Sequence, residues 1–120
     1  MDLRATPRIH VSWPAACAVA DAQRPPWPAR VVNLSDNGLG LLGPCNLPRG
    51  TVVELQLAVP PRNSVEEHGH TMRVRGRVAQ AILRQEQFLL GIQLLHIGPD
   101  DLARLQRWLR RSPEAAGPVS

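Results

Sequence analysis

Residues 30–42 read RVVNLSDNGLGLL, and this stretch predicts two β-strands joined by a tight turn. The first strand is expected over 30–35 and the second over 39–42, because Asn-Gly is the dipeptide most typical of a short hairpin connection. Side chains alternate along a strand, so Asn33 and Ser35 are expected on the same face. The hairpin would therefore present an amide and a hydroxyl side by side.

The same alternation extends through most of the chain and predicts about six strands in all. The first strand is expected from Ile9 to Val19, where every second residue is apolar, and Pro14 within it indicates an edge position or a bulge. Two later segments alternate in the same way, at residues 51–59 and 72–78, and residues 88–97 are apolar on both faces, which indicates a central strand. The connecting segments that are rich in proline or polar residues are expected to be loops, at residues 21–28 and 60–70, and a turn is expected near residues 85–87.

A single helix is predicted after the last strand. Gly98-Pro99-Asp100-Asp101 is typical of a helix start, because proline suits the first turn and aspartate suits the positive end of the helix dipole. The helix is expected over 100–111, where the apolar residues at helical spacing are Leu102, Leu105, Trp108 and Leu109. Six strands followed by one helix indicate a small antiparallel barrel or sandwich, with the helix covering one mouth.

The composition favours a single intracellular domain. The chain has 120 residues and a net charge of +4, and all of its basic side chains are arginine. Cys17 and Cys45 lack the spacing of a metal site, so we expect reduced thiols in a cytoplasmic protein. No apolar run approaches the length of a membrane span, and the N-terminus lacks the apolar region of a secretory signal.

A pair of arginines precedes the first strand. Arg4 and Arg8 lie in a polar arm of residues 1–8, which Pro7 biases toward an extended conformation. Their positions on an extended chain are about 13 Å apart, at about 3.3 Å per residue. Guanidinium groups can bridge phosphates or pair with the O6 and N7 edge of guanine, although two arginines in such an arm can equally be solvated residues without a ligand.

Three residues of the hairpin form a second candidate group. Asn33 and Ser35 together match the donors and acceptors of a purine edge. Gly38 permits a positive φ and a close approach of a ligand to the backbone. A hairpin turn explains Gly38 without any ligand, and Asn33 and Ser35 can also be ordinary outward-facing polar residues.

Taken in order, Arg4-x-x-x-Arg8 and Asn33-x-Ser35-x-x-Gly38 resemble the two-part signature of PilZ domains, and Gly91-Ile92-Gln93-Leu94-Leu95 resembles the closing strand of that family. The resemblance covers roughly residues 3–111. It implies an all-β fold with one C-terminal helix, namely a six-stranded antiparallel β-barrel over residues 9–111. A flexible arm would precede the barrel, and a disordered tail would follow it at residues 112–120.

The resemblance also implies a receptor for cyclic di-GMP rather than an enzyme, with no cofactor besides that ligand. Arg4 and Arg8 would contact guanine and phosphate, while Asn33, Ser35 and Gly38 would hold the other side of the base. We expect the arm to fold over the ligand and the resulting surface to signal to an effector protein. The alternative is a PilZ-like adaptor that works in pilus assembly or motility without binding the nucleotide.

The remaining polar groups favour no other chemistry. Arg73, Arg75 and Arg77 form a basic strand face that would suit a nucleic acid, but that strand lacks stacking aromatic residues, so a solvated face is the better interpretation. The His68-Gly69-His70 segment has no further ligands at a metal-binding spacing. We therefore expect no catalytic residues and no metal site, and a small nucleic-acid-binding barrel is the least favoured function.

Overall fold

The structure is a computed structural model that describes residues 8–61 and 69–116, and within these ranges it contains six strands and one helix. The elements are β1 (Ile9–Val19), β2 (Trp27–Leu34), β3 (Gly38–Gly43), β4 (Val52–Val59), β5 (His70–Arg84), β6 (Gln87–Ile97) and α1 (Pro99–Ala116).

The six strands form a closed barrel in the order β1-β2-β3-β6-β5-β4, with every neighbouring pair antiparallel. This confirms the expected six-stranded antiparallel barrel and decides against the sandwich. The β5–β6 connection is the predicted tight turn, since Gln85 and Glu86 have φ values of 51° and 71°. Two consecutive positive φ values match the twist of a two-residue hairpin.

Pro14 lies where β1 changes its pairing. The β1–β2 register shifts between His10 and Trp13, and β1 pairs with β4 only from Ala15 onward. Pro14 therefore lies at the border of the doubly paired segment, where a residue without an N–H group is tolerated. The sequence predicted an edge or a bulge here, and the strand has a register irregularity just before the proline.

Alternate residues of all six strands fill the barrel with one apolar core, and α1 adds Leu105 and Leu109 to it. Trp108 of α1 packs edge-on against Trp13 of β1, with ring centroids 5.2 Å apart and planes at 70°. Such an aromatic pair contributes about 0.5–1.5 kcal/mol beyond the area it buries. The apolar stripe predicted from helical spacing is thus a packing surface.

The start of α1 is tied to the barrel by Asp101. Its carboxylate accepts hydrogen bonds from the backbone N–H of Arg73 on β5 at 3.2 Å and from the Arg104 side chain at 3.2 Å. The acidic residue expected to complement the helix dipole therefore also anchors the helix to the sheet. The helix continues to Ala116, beyond the end expected at residue 111. Of the expected tail, residues 117–120 lie outside the described residues.

The alternation of β2 is broken by one extra residue. Val31 pairs with Leu41 and Asn33 pairs with Gly40, so Val32 has no counterpart on β3. Such a bulge rotates the residues beyond it by one position of the pleat. Val31 and Leu34 consequently both point inward and are buried. Ser35 follows the last residue of β2 and is buried in the turn, whereas Asn33 is partly exposed, so the expectation that the two side chains are presented side by side is wrong.

Candidate functional site

The turn between β2 and β3 is organised by Ser35. The backbone N–H of Ser35 donates to the Gly38 carbonyl at 2.9 Å, and its hydroxyl lies 2.9 Å from Asn37 Oδ1 and 3.2 Å from the same carbonyl. Ser35 is only 2% exposed. Both hydrogen bonds of its hydroxyl are therefore made within the turn. One of them orients the Asn37 carboxamide, which the turn exposes at its surface.

Asn37 is a further candidate site residue, which sequence reasoning treated only as part of a turn. Its side chain is exposed, and its Oδ1 accepts a hydrogen bond from the Ser35 hydroxyl. This bond does not use the NH₂ group of Asn37. Its backbone carbonyl accepts from the N–H of Leu94 at 3.0 Å, so the turn is also fastened to β6. A fixed amide donor at a loop is well suited to a polar ligand.

Gly38 serves close packing rather than an unusual backbone conformation. Its φ is not positive, since Gly50, at 95°, is the one glycine in the described ranges with such a value. A Cβ on Gly38 would lie 2.6 Å from the carbonyl oxygen of Ile92, a backbone atom of β6. The expectation that this glycine uses a positive φ is wrong. Glycine is required here because β3 and β6 approach each other too closely for a side chain.

Arg8 and Asn33 are brought together as the sequence motifs suggested. The Arg8 guanidinium donates to Asn33 Oδ1 at 2.5 Å. The Asn33 carboxamide has room because Gly40 lies beside it, and a Cβ at that position would overlap the amide group. Arg4, the other arginine of the motif, lies outside the described residues.

A cavity of about 400 Å³ opens between this turn and the β5–β6 pair. One wall consists of Arg8 and the Asn37-Gly38-Leu39 turn, and the other is formed by Ala79, Gln80, Gly91, Ile92 and Gln93. The volume falls within the range of small-molecule sites, about 300–1,000 Å³. One guanidinium and three carboxamides on its rim provide donors and acceptors for phosphate and base edges and no strong acid or nucleophile.

Gln80, Gly91 and Gln93 were not identified from the sequence. Gly91 pairs with Gln80 across β5 and β6, and Gln93 pairs with Gly38 across β6 and β3. Their proximity to Arg8 depends on strand order and register, which link segments about 70–85 residues apart along the chain. The available signal was weak, because Gln80 follows the alternating arginines of β5 and Gln93 is one of three polar residues on β6.

Of the described groups considered as alternatives, none lines this cavity. Arg75 pairs with Glu54 across β4 and β5, with nitrogen–oxygen distances of 2.6 and 3.0 Å, so the basic strand face is partly neutralised. Burial, with a smaller contribution from Cys45, raises the pKa of the Cys17 thiol to about 12. A neutral buried thiol is a core residue rather than a nucleophile.

Among residues 8–61 and 69–116 there is no group of three metal-ligating side chains, and His68 of the candidate His-Gly-His segment lies outside these ranges. The one helix in the same ranges is not long and apolar enough to cross a membrane.

Comparison with known proteins identifies a family over nearly the whole chain. The model of the PilZ domain matches residues 2–111. No curated protein matches the sequence.

Solved structures share the fold at low sequence identity. The inhibitor of motility MotI/DgrA from Bacillus subtilis superimposes with a TM-score of 0.77 at 15% identity, over 92% of this chain and 51% of that one. The PilZ domain of YcgR from Escherichia coli, solved with c-di-GMP, gives a TM-score of 0.62 at 16% identity, over 96% and 95%. MrkH from K. pneumonia in complex with c-di-GMP gives 0.64 at 17%, over 92% and 52%. The chain thus spans about half the length of MotI/DgrA and MrkH.

Proposed function

Because the chain belongs to the PilZ domain family, we propose that it is a receptor that binds cyclic di-GMP in the cavity beside the β2–β3 turn. The observation that carries the proposal is the Arg8–Asn33 hydrogen bond at the edge of that cavity. This bond joins Arg8 of the first motif to Asn33 of the second motif. Gly38 of the second motif lies in the same cavity wall as Arg8. The structures of YcgR and MrkH contain c-di-GMP, which supports the choice of ligand.

Each residue of the two motifs has a distinct role in the proposed complex. Arg8 uses one N–H for Asn33, and its remaining N–H groups are available to a phosphate or to the O6 and N7 edge of guanine. Asn33 positions that guanidinium and contributes its own amide. Ser35 acts through the turn, because its buried hydroxyl orients Asn37, which faces the cavity. Gly38 keeps the turn close to β6.

The arm of residues 1–8 supplies the second arginine. We propose that Arg4 binds the ligand from the side opposite the turn, so that the arm closes over the nucleotide. Closing the arm costs conformational entropy, which the charge-assisted hydrogen bonds of two guanidinium groups must exceed. The closed arm and the bound ligand together would form the surface that an effector protein contacts, so the role is one of signalling without catalysis, in the cytoplasm.

Binding to variants of the intact chain tests this proposal. In equilibrium dialysis with labelled cyclic di-GMP, Arg8→Ala is expected to weaken binding at least about tenfold, because a hydrogen bond to a charged group contributes about 1.5–3 kcal/mol. Arg24→Ala is the matched control, since this exposed arginine lies in the β1–β2 loop and does not line the cavity. Equal binding by all three proteins would refute the assigned site.

One observation favours the adaptor that works without the nucleotide. The β5–β6 hairpin carries Ile82 and Leu83, which are 47% and 65% exposed. Two large apolar side chains at the end of a hairpin suit a protein contact. A wild-type chain that binds no cyclic di-GMP in the same dialysis experiment, but loses a protein partner when Leu83 is replaced by serine, would establish this second function instead.

A further inference from the structure

The β5–β6 hairpin extends beyond the strand that flanks it on one side. β4 pairs with β5 as far as Arg77. The next residue, Val78, makes the last hydrogen bonds on that side, donating to the Thr51 carbonyl at 2.8 Å and accepting from the Gly50 N–H at 2.7 Å. β5 itself continues over residues 79–84, and all six of these residues are exposed. Among the described strands only β6 pairs with this segment, so its other edge is open.

Two residues of this open edge direct backbone hydrogen-bonding groups away from the barrel. In an antiparallel pair, residues that exchange both hydrogen bonds with the partner strand alternate with residues whose N–H and C=O groups point to the other side. Arg84 and Gln87 close the two-residue turn, so they form a bonded pair. Counting back along β5, Ile82 is also bonded to β6, whereas Leu83 and Ala81 point to the open edge. The edge therefore offers two donors and two acceptors.

The side chains of the open edge lack the charges and the proline that commonly keep edge strands from pairing. Residues 79–83 read Ala-Gln-Ala-Ile-Leu. Ile82 and Leu83 are adjacent on the strand and so point to opposite faces of the hairpin, and both are exposed. The segment thus combines free backbone groups with an apolar side chain on each face, which is the pattern of a strand that has another strand beside it.

We infer that the open edge of β5 pairs with the same edge of a second copy of the chain, antiparallel and about a twofold axis at Ile82. In this register Ala81 exchanges two backbone hydrogen bonds with Leu83 of the second copy, and the symmetry repeats the exchange. All the free backbone groups of the two residues are then used. The inference does not depend on whether the chain binds cyclic di-GMP.

The side chains along this register complement one another, which favours a second copy over a foreign strand. Ile82 lies opposite Ile82 of the second copy in a non-hydrogen-bonded pair, where side chains are closest. The small Ala81 lies opposite the large Leu83. Arg84 lies opposite Gln80, whose amide oxygen can accept from a guanidinium, so no two arginines face each other in a chain of net charge +4.

The contact is expected to be reversible. One strand from each copy gives an interface at the low end of specific contacts, below about 1,200 Å². Monomer and dimer should therefore exchange, with the dimer gaining as the concentration rises.

Sedimentation equilibrium of the full chain tests the association. The weight-average mass is expected to rise with concentration from the 13.2 kDa of one chain toward twice that value in the millimolar range. Ala81→Pro removes a donor at the open edge without removing a hydrogen bond to β6, so this variant is expected to keep the mass of one chain throughout. Ala81→Ser, which keeps the N–H at the same position, is the matched control and should associate like the wild type. A wild-type chain that stays at 13.2 kDa at every concentration, or an Ala81→Pro chain that associates as well as the wild type, would overturn the inference.

Hydrogen exchange of the wild-type backbone, followed by NMR, tests the edge without any variant. The Ala81 and Leu83 amides are expected to exchange several-fold more slowly where the dimer predominates than in dilute solution, whereas the Ile82 amide, already bonded to β6, is protected in both. Association without slower exchange at Ala81 and Leu83 would place the contact elsewhere and overturn the inference. Protection of these two amides while the mass is still that of one chain would mean that another segment of the same chain covers the edge, and would overturn it as well.

Discussion

Replacing Gly38 by alanine is expected to destabilise the barrel itself. The new Cβ would lie 2.6 Å from the Ile92 carbonyl oxygen, and that atom belongs to the backbone of the paired strand β6. Real Cβ atoms do not approach an oxygen so closely, so β3 and β6 have to separate. Forcing an extra methyl group into a packed site costs about 1–3 kcal/mol.

Thermal unfolding followed by circular dichroism measures this cost. Each kcal/mol lowers the Tm of a domain of this size by roughly 3–6 °C, so Gly38→Ala is expected to lower it by roughly 3–18 °C. Gly98→Ala, where a Cβ meets nothing within 4 Å, should stay within about 0.5 kcal/mol of the wild type. A Gly38→Ala protein as stable as the wild type would refute the reasoning that interstrand packing requires this glycine.

Three further predictions concern residues around the site and the core. Ser35→Ala removes the buried hydroxyl that holds the turn, so we expect a loss of about 0.5–1.5 kcal/mol in urea unfolding together with weaker ligand binding. Because burial raises the Cys17 pKa from 9.0 to about 12, the unfolded state loses the proton first. The free energy of unfolding should therefore fall as pH rises from 9.0 toward 12, and Cys17→Ala should lack this part of the pH dependence. Removing the exposed Arg75–Glu54 pair by Glu54→Ala should cost at most about 1 kcal/mol.

Each of these expectations has an outcome that contradicts it. A Ser35→Ala chain with unchanged stability would mean that the turn does not depend on the hydroxyl. Identical alkaline unfolding curves for wild type and Cys17→Ala would mean that the thiol titrates as in the unfolded chain. A cost well above 1 kcal/mol for Glu54→Ala would mean that the basic strand face depends on this ion pair.

Individual strands and the start of the helix could be predicted from the sequence, because each is specified by the pattern of a few neighbouring residues. The bounds of β1 follow from apolar residues at every second position between Ile9 and Val19, and the start of α1 follows from Pro99-Asp100-Asp101. The choice between barrel and sandwich depended on the pairing of β1 with β4, whose paired residues lie from 34 (Val19 and Val53) to 42 (Ala15 and Leu57) positions apart. No local pattern contains that information.

The candidate site was predictable to the same extent. The Arg8–Asn33 contact joins two motifs that stand out in the sequence, and the structure brings them together. The burial of Ser35 was missed because Ser35 lies past the end of β2, where the turn and not the alternation of the strand fixes its side chain. Gln80 was missed for a different reason, since its outward direction results from a register shift in β5 between Val78 and Gln80.

The central claim is that this barrel binds cyclic di-GMP beside the β2–β3 turn. Calorimetric titration of the wild-type chain with cyclic di-GMP, repeated on Arg8→Ala and on the Arg24→Ala control, tests it most directly. We predict saturable binding by the wild type and by Arg24→Ala, and binding at least about tenfold weaker for Arg8→Ala. No heat of binding with the wild type, or the same affinity in all three proteins, would contradict the account.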